Sequence, residues 1–148
     1  MTPRVKRTML LLLILALAIF FYGTFGRSTL LLSLADETVT VTGPEDSSFS
    51  VPYGEIASME LREDFDPGIP VDGGLKNHIR YGLWHNEELQ DYQLFASDKI
   101  GVIILLHTTG GEVLVFNYES ENTTRTYYGS FPDFLAQQSY TAATAPAA

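Results

Sequence analysis

DYQLFASDKIGVIILLHTTGGEVLVFNY, residues 91–118, carries three short apolar runs separated by turn-forming residues. The spacing predicts strands over 91–97, 101–107 and 112–118. Ser97-Asp98-Lys99 and Thr109-Gly110-Gly111 serve as the connections. The segment 100–106 is apolar on both faces, which predicts a strand buried from both sides. Connections this short predict an antiparallel meander.

Working outward, HIRYGLWH (78–85) reads as a further strand around Gly82, joined to the next by Asn86-Glu87-Glu88. Before it, EDFDPGIPVDGGLKN (63–77) holds two prolines, three glycines and four acids, and reads as a long surface loop. Nearer the N-terminus, 28–34 and 37–42 form a predicted hairpin through Ala35-Asp36; the second run, ETVTVT, is rich in β-branched residues. A short third strand follows at 48–51, and after a turn at 52–54 the run 55–61 reads as a strand with Ile56, Met59 and Leu61 facing a core. Downstream, Ser120 is a candidate helix N-cap, with Glu121 in the first turn facing the positive end of the helix dipole. Thr124, Tyr127, Tyr128, Phe131 and Leu135 then fall on one helical face. Gly129 and Pro132 predict a break, with Ser130, Pro132 and Asp133 opening a second short helix. The last ten residues, 139–148, are small and of low complexity, and are expected to be a disordered tail.

About seven strands followed by one amphipathic helix is a mainly β order. With VPYGEIASMELRE (51–63), RYGLW (80–84) and the run from Tyr92 to Glu121, it resembles the bacterial membrane-attached pleckstrin-homology-like (PH-like) domains. The resemblance spans about 29–138 and is carried by strand order and turn placement. It implies an antiparallel barrel or sandwich whose C-terminal helix caps one open end, commonly behind an N-terminal spanning helix. Lipid-binding members hold inositol phosphates with basic residues around the first hairpin loop. Here that loop is Ala35-Asp36-Glu37, with Arg27 the one basic residue nearby, so phosphoinositide binding is not implied.

The N-terminal stretch TMLLLLILALAIFFYGTFG (8–26) is free of charge, follows Arg4, Lys6 and Arg7, and ends at Arg27. As a helix it would span roughly 28 Å, close to the bilayer core. A cleaved signal is the rival reading, with Thr24-Phe25-Gly26 or Ser33-Leu34-Ala35 imitating its cleavage site. The length of the span and the aromatic cluster of Phe20, Phe21, Tyr22 and Phe25 favour a retained transmembrane anchor. The positive-inside rule places residues 1–7 in the cytoplasm and the domain, from residue 28, outside the cell membrane.

The 148-residue chain carries nine basic and 18 acidic residues. All the acids lie at or after Asp36, and only five basic residues follow Arg27. The domain therefore carries a net charge of −13, which excludes nucleic acid as a partner and gives the domain no charge attraction to anionic lipid. There is no cysteine, so disulfides, thiol catalysis and thiolate metal sites are absent.

No G-x-S-x-G, P-loop, H-E-x-x-H or G-x-G-x-x-G motif is present, and no pair among the carboxylates stands out as an acid–base couple. No enzyme activity and no cofactor is expected. The histidines (78, 85, 107) lack diagnostic metal spacing. Glu63, Asp64, Asp66 and Asp72 supply calcium-type oxygens but do not match an EF-hand. Asn122-Thr123-Thr124 matches a glycosylation sequon at a helix start, a poor acceptor. Candidate interaction residues are Asp64, Phe65, Asp66 and Asp72 on the acidic segment, with Tyr81 and Trp84 flanking Gly82 either in the core or as an exposed aromatic edge.

Three functions from different classes follow. They are a membrane-anchored, non-enzymatic protein-interaction module, a secreted β-barrel for a small apolar ligand, and an unrecognised hydrolase. Carbonate washing of membranes separates the first two. The anchored form stays in the pellet; a soluble product beginning near Arg27 or Asp36 overturns the anchor.

Overall fold

A computed structural model describes residues 12–16, 30–35 and 37–131. Most of the expected anchor (8–26), the expected second helix with Leu135, and the tail lie outside the described residues. Residues 12–16 are helical, with Leu12, Leu13, Ile14 and Leu15 all more than half exposed. No helix among the described residues is long and apolar enough to cross a membrane.

Among the described residues the domain is mainly β, with nine strands in two sheets and a helix over 121–131. The smaller sheet contains β1 (Leu31–Ser33), β2 (Thr38–Thr42) and β3 (Ser48–Pro52), in that order and antiparallel. The expected hairpin is its first half. The larger sheet has the order β4-β8-β9-β7-β6-β5, made of β4 (Ile56–Glu63), β5 (Ile69–Lys76), β6 (Ile79–Asn86), β7 (Gln90–Ser97), β8 (Val102–Thr108) and β9 (Val113–Phe116).

Two expectations about the strands are corrected here. The first is the meander expected over 78–118, which holds for the β6–β7 and β8–β9 hairpins but not between β7 and β8. β8 skips one strand position after the tight connection at 98–101, and β9 returns into the gap. β9 therefore lies parallel to β7, with Phe95 opposite Phe116, and antiparallel to β8. A short connection makes antiparallel pairing available without compelling it, and here the side chain of Asn117 selects the alternative. Asn117 is fully buried. Its Oδ1 accepts from the Ser97 N–H at 2.8 Å, and its Nδ2 donates to the carbonyls of Ser97 (3.1 Å) and Ile100 (3.3 Å). One amide thus satisfies the backbone where β7 ends and the chain turns away.

The second correction concerns 63–77, which is not one long loop. Residues 69–76 form β5, paired along β6. Its Pro, Gly and Asp content disguises it, because an edge strand tolerates these residues. The strand is made by its partner. Asn77 and His78 both have positive φ (48° and 65°), as a type I′ hairpin turn requires. Gly73 sits opposite Gly82 so closely that a Cβ on Gly82 would lie 2.3 Å from the Asp72 carbonyl oxygen.

The centre of the larger sheet is buried on both faces, and β8 within it is buried on both sides as its composition predicts. On one face Phe95, Ile104, Leu106, Leu114 and Phe116 pack against Val39, Val41 and Val51 of the smaller sheet and Phe131 of the helix. On the other, Trp84, Tyr92, Leu94, Ala96, Ile103, Leu105, Val113 and Val115 form a second cluster, with Phe65 and Leu89 packed against it. Arg62 sits opposite Ile103 in register and pairs with Glu88 of the β6–β7 turn, so the end of β4 curls over this face.

Ser120 caps the helix as expected, its Oγ accepting from the Thr123 N–H at 3.1 Å. Thr124 and Phe131 are buried, and Tyr127 and Tyr128 are half-buried on the same side. The expected break at Gly129 does not occur. The helix runs on to 131, and Ser130 Oγ donates to the Thr126 carbonyl four residues earlier. Gly129 is exposed and costs the helix only local stability, while Phe131 buried in the core secures the last turn.

Replacing Asn117 with alanine should cost about 3 kcal/mol, since it strands a buried N–H and two carbonyls. A urea melt should show a lower midpoint with unchanged slope.

Candidate functional site

The sequence-derived candidates separate onto two surfaces. Phe65, Asp66 and Trp84 gather at the β6–β7 turn end of the large sheet. Trp84 is buried and its Nε1 donates to the Tyr81 carbonyl at 3.0 Å, so it belongs to the core. Phe65 stands edge-on to Tyr92, with ring centroids 5.8 Å apart. Asp66 Oδ1 accepts from the Gly68 N–H at 3.0 Å, which closes a tight turn. Asp64 precedes them with a left-handed backbone (φ 55°) and is exposed.

Two residues that the sequence left unmarked hold this tip. The Tyr92 hydroxyl donates to the Pro67 carbonyl at 2.6 Å, and Asn86 Nδ2 donates to the Asp66 carbonyl at 2.8 Å. Asn86 Oδ1 also accepts from the Leu89 N–H at 2.7 Å. Burial, with the Asp66 carboxylate nearby, pushes the Tyr92 phenol well above the ordinary tyrosine value. An Asn directly after an aromatic-rich strand signals such a turn bond; the reach from Tyr92 to Pro67 has no signal in sequence.

Asp72 and Tyr81 line a different surface, an open cleft of about 510 Å³ between the two sheets, shared with Glu45, Gln93 and Phe95. Lys76 Nζ lies 3.2 Å from Glu45 Oε1. Bonds from Lys76 and then Tyr81 hold the Glu45 carboxyl below the usual range, and partial burial with Glu45 raises the Tyr81 phenol. Glu45 is solvent-exposed, so the cluster orients the Pro44–Asp46 turn more than it stabilises the fold.

His78 and His85 each meet one carboxylate, Asp98 at 3.1 Å and Asp91 at 2.7 Å, and His107 faces Glu60 at 3.8 Å. No group of three His, Cys, Asp or Glu residues is placed to hold a metal among the described residues. Thr124 of the sequon is fully buried, with Oγ1 bonded to the Ser120 carbonyl at 2.8 Å.

The two outer edges of the large sheet are dissimilar. β4 presents Glu60 and Arg62 and carries a bulge between Ile56 and Ser58. β5 presents Ile69, Val71 and Leu75, at 65%, 54% and 57% exposure. A bulge at Val71 and the missing N–H of Pro70 interrupt the N-terminal half of β5, leaving 72–76 as its continuous stretch.

Replacing Tyr92 with phenylalanine should cost about 1 kcal/mol at neutral pH. A phenol raised in the folded state contributes stability that is full below about pH 10 and is lost as pH rises beyond it. The wild type should therefore lose stability in alkaline urea melts over that window, and the phenylalanine variant should lose less. No protein-family model matches the chain, and no curated protein or solved structure matches it.

Proposed function

We propose that this chain is a single-pass, membrane-anchored, non-enzymatic interaction module that displays its β domain outside the cytoplasm and recruits a protein partner along β5. The carrying observation is the β5 edge. Ile69, Val71 and Leu75 put three large apolar side chains on one strand whose outer backbone faces no other strand among the described residues. Such an edge accepts an extended segment by strand addition, with backbone hydrogen bonds for affinity and side-chain contacts for specificity. Gly73 and Gly74 leave room for close backbone approach.

A curled β assembly followed by a helix that packs Thr124 and Phe131 into the core supports a PH-like domain. The parallel β7–β9 pair departs from that pattern, so the interaction reading rests on the edge and not on the likeness. The space between the sheets is filled by Val39, Val41, Phe95 and Phe116, so the apolar-ligand alternative has no enclosed chamber there.

Photocrosslinkers placed at Val71 and Leu75 in cells should give one discrete protein adduct, absent from a crosslinker at Glu87. Val71→Lys should abolish the adduct while leaving the thermal midpoint within about 2 °C. Equal labelling at all three positions, or none, overturns the proposal.

A further inference from the structure

The described domain begins at Leu30, three residues beyond Arg27 and four beyond the last uncharged position, Gly26. At full extension those residues reach no more than about 14 Å. If residues 8–26 span the bilayer, as the proposed function holds, the surface around Leu30 is tied within that distance of the membrane.

That surface is a cleft of about 570 Å³. Leu30, Leu31, Ile79, Ile100 and Tyr118 give it apolar walls, and Lys99, His78 and Glu119 line it with charged or titratable groups. Leu31 is 56% exposed. Lys99 makes no ion pair among the described residues, while Lys76 and His78 at the same end of the sheet are each matched by a carboxylate. The other end of the β6–β7 hairpin is different in kind. Both strands are eight residues long, so Glu87 and Glu88 lie about 26 Å away. Asp91 and Asp66 stand near them.

The domain is therefore polar along the hairpin axis. At the near end Lys99 and His78 are set against Glu119 and Asp98 beside the apolar walls, whereas at the distant tip Glu87, Glu88, Asp91 and Asp66 outnumber Arg62 and His85. An anionic leaflet repels the tip and tolerates the tethered end. Tyrosine suits the headgroup layer, with an apolar ring and a wet hydroxyl, and leucine gains by reaching the apolar boundary beneath it. We propose that this cleft is the face the domain lays on the bilayer, with Leu31 and Tyr118 entering the headgroup layer and Lys99 meeting lipid phosphate. The domain is then held upright, and β5 runs outward from the membrane with the Phe65–Asp66 tip at its far end.

The absence of cysteine makes the test direct. Leu31→Cys, Lys99→Cys and Glu87→Cys are each made singly in the full chain, labelled with bimane, and reconstituted into phosphatidylcholine–phosphatidylglycerol vesicles carrying a headgroup spin label. Quenching at positions 31 and 99 should be several-fold stronger than at 87. Equal quenching at all three positions, in protein that still floats with the vesicles, means the domain tumbles on its tether and overturns the orientation while the anchor stands. Protein that fails to float overturns the anchor and the orientation together.

Discussion

The buried amide of Asn117 decides the order of the large sheet. β7 ends at Ser97, and its last backbone groups have no strand partner in the direction the chain takes next. Asn117 fills that vacancy with one acceptor and two donor contacts. With the turn held there, β8 is displaced by one strand position and β9 enters beside β7. β9 is only four residues long, yet all four are buried, because it lies between two strands and beneath side chains on both faces. A short central strand of this kind is stable only when its neighbours are already fixed.

Without disulfides, the domain depends on burying both faces of one sheet. One face is covered by the smaller sheet and the helix, with Phe131 sealing the junction. The other is covered by the sheet's own curl, with Phe65 and Leu89 packed on the cluster and Arg62, opposite Ile103 in register, paired with Glu88. The Arg62 guanidinium is held charged by Glu88 first and Glu60 second. These exposed pairs add little energy, but they close the rim over a cluster that would otherwise meet water.

The same curl divides the surface. The end at Leu30 carries the cleft with Lys99 and Glu119; the tip carries the tight turn of Asp66 and the bonds from Tyr92 and Asn86. β5 connects the two ends and presents its apolar side chains to solvent along the way. The acidic residues at 63–72 are thus not one patch. Asp64 and Asp66 belong to the tip, whereas Asp72 belongs to the cleft with Glu45 and Tyr81.

The sequence by itself determined the mainly β class, eight of the nine strands, the helix N-cap at Ser120 and the buried face of Thr124, Tyr127, Tyr128 and Phe131. These are local matters: alternation, turn residues and helical spacing act over a few positions. Trp84 was legible as a core candidate, but not as distinct from an exposed edge. Only the tertiary structure decided that 69–76 is a strand, since a stretch with exposed side chains on both faces has no alternation, and its pairing comes from Gly82 across the ladder. It also decided that β9 lies between β7 and β8, because strand order depends on bonds from Asn117 to Ser97, 20 residues earlier, that no local pattern encodes.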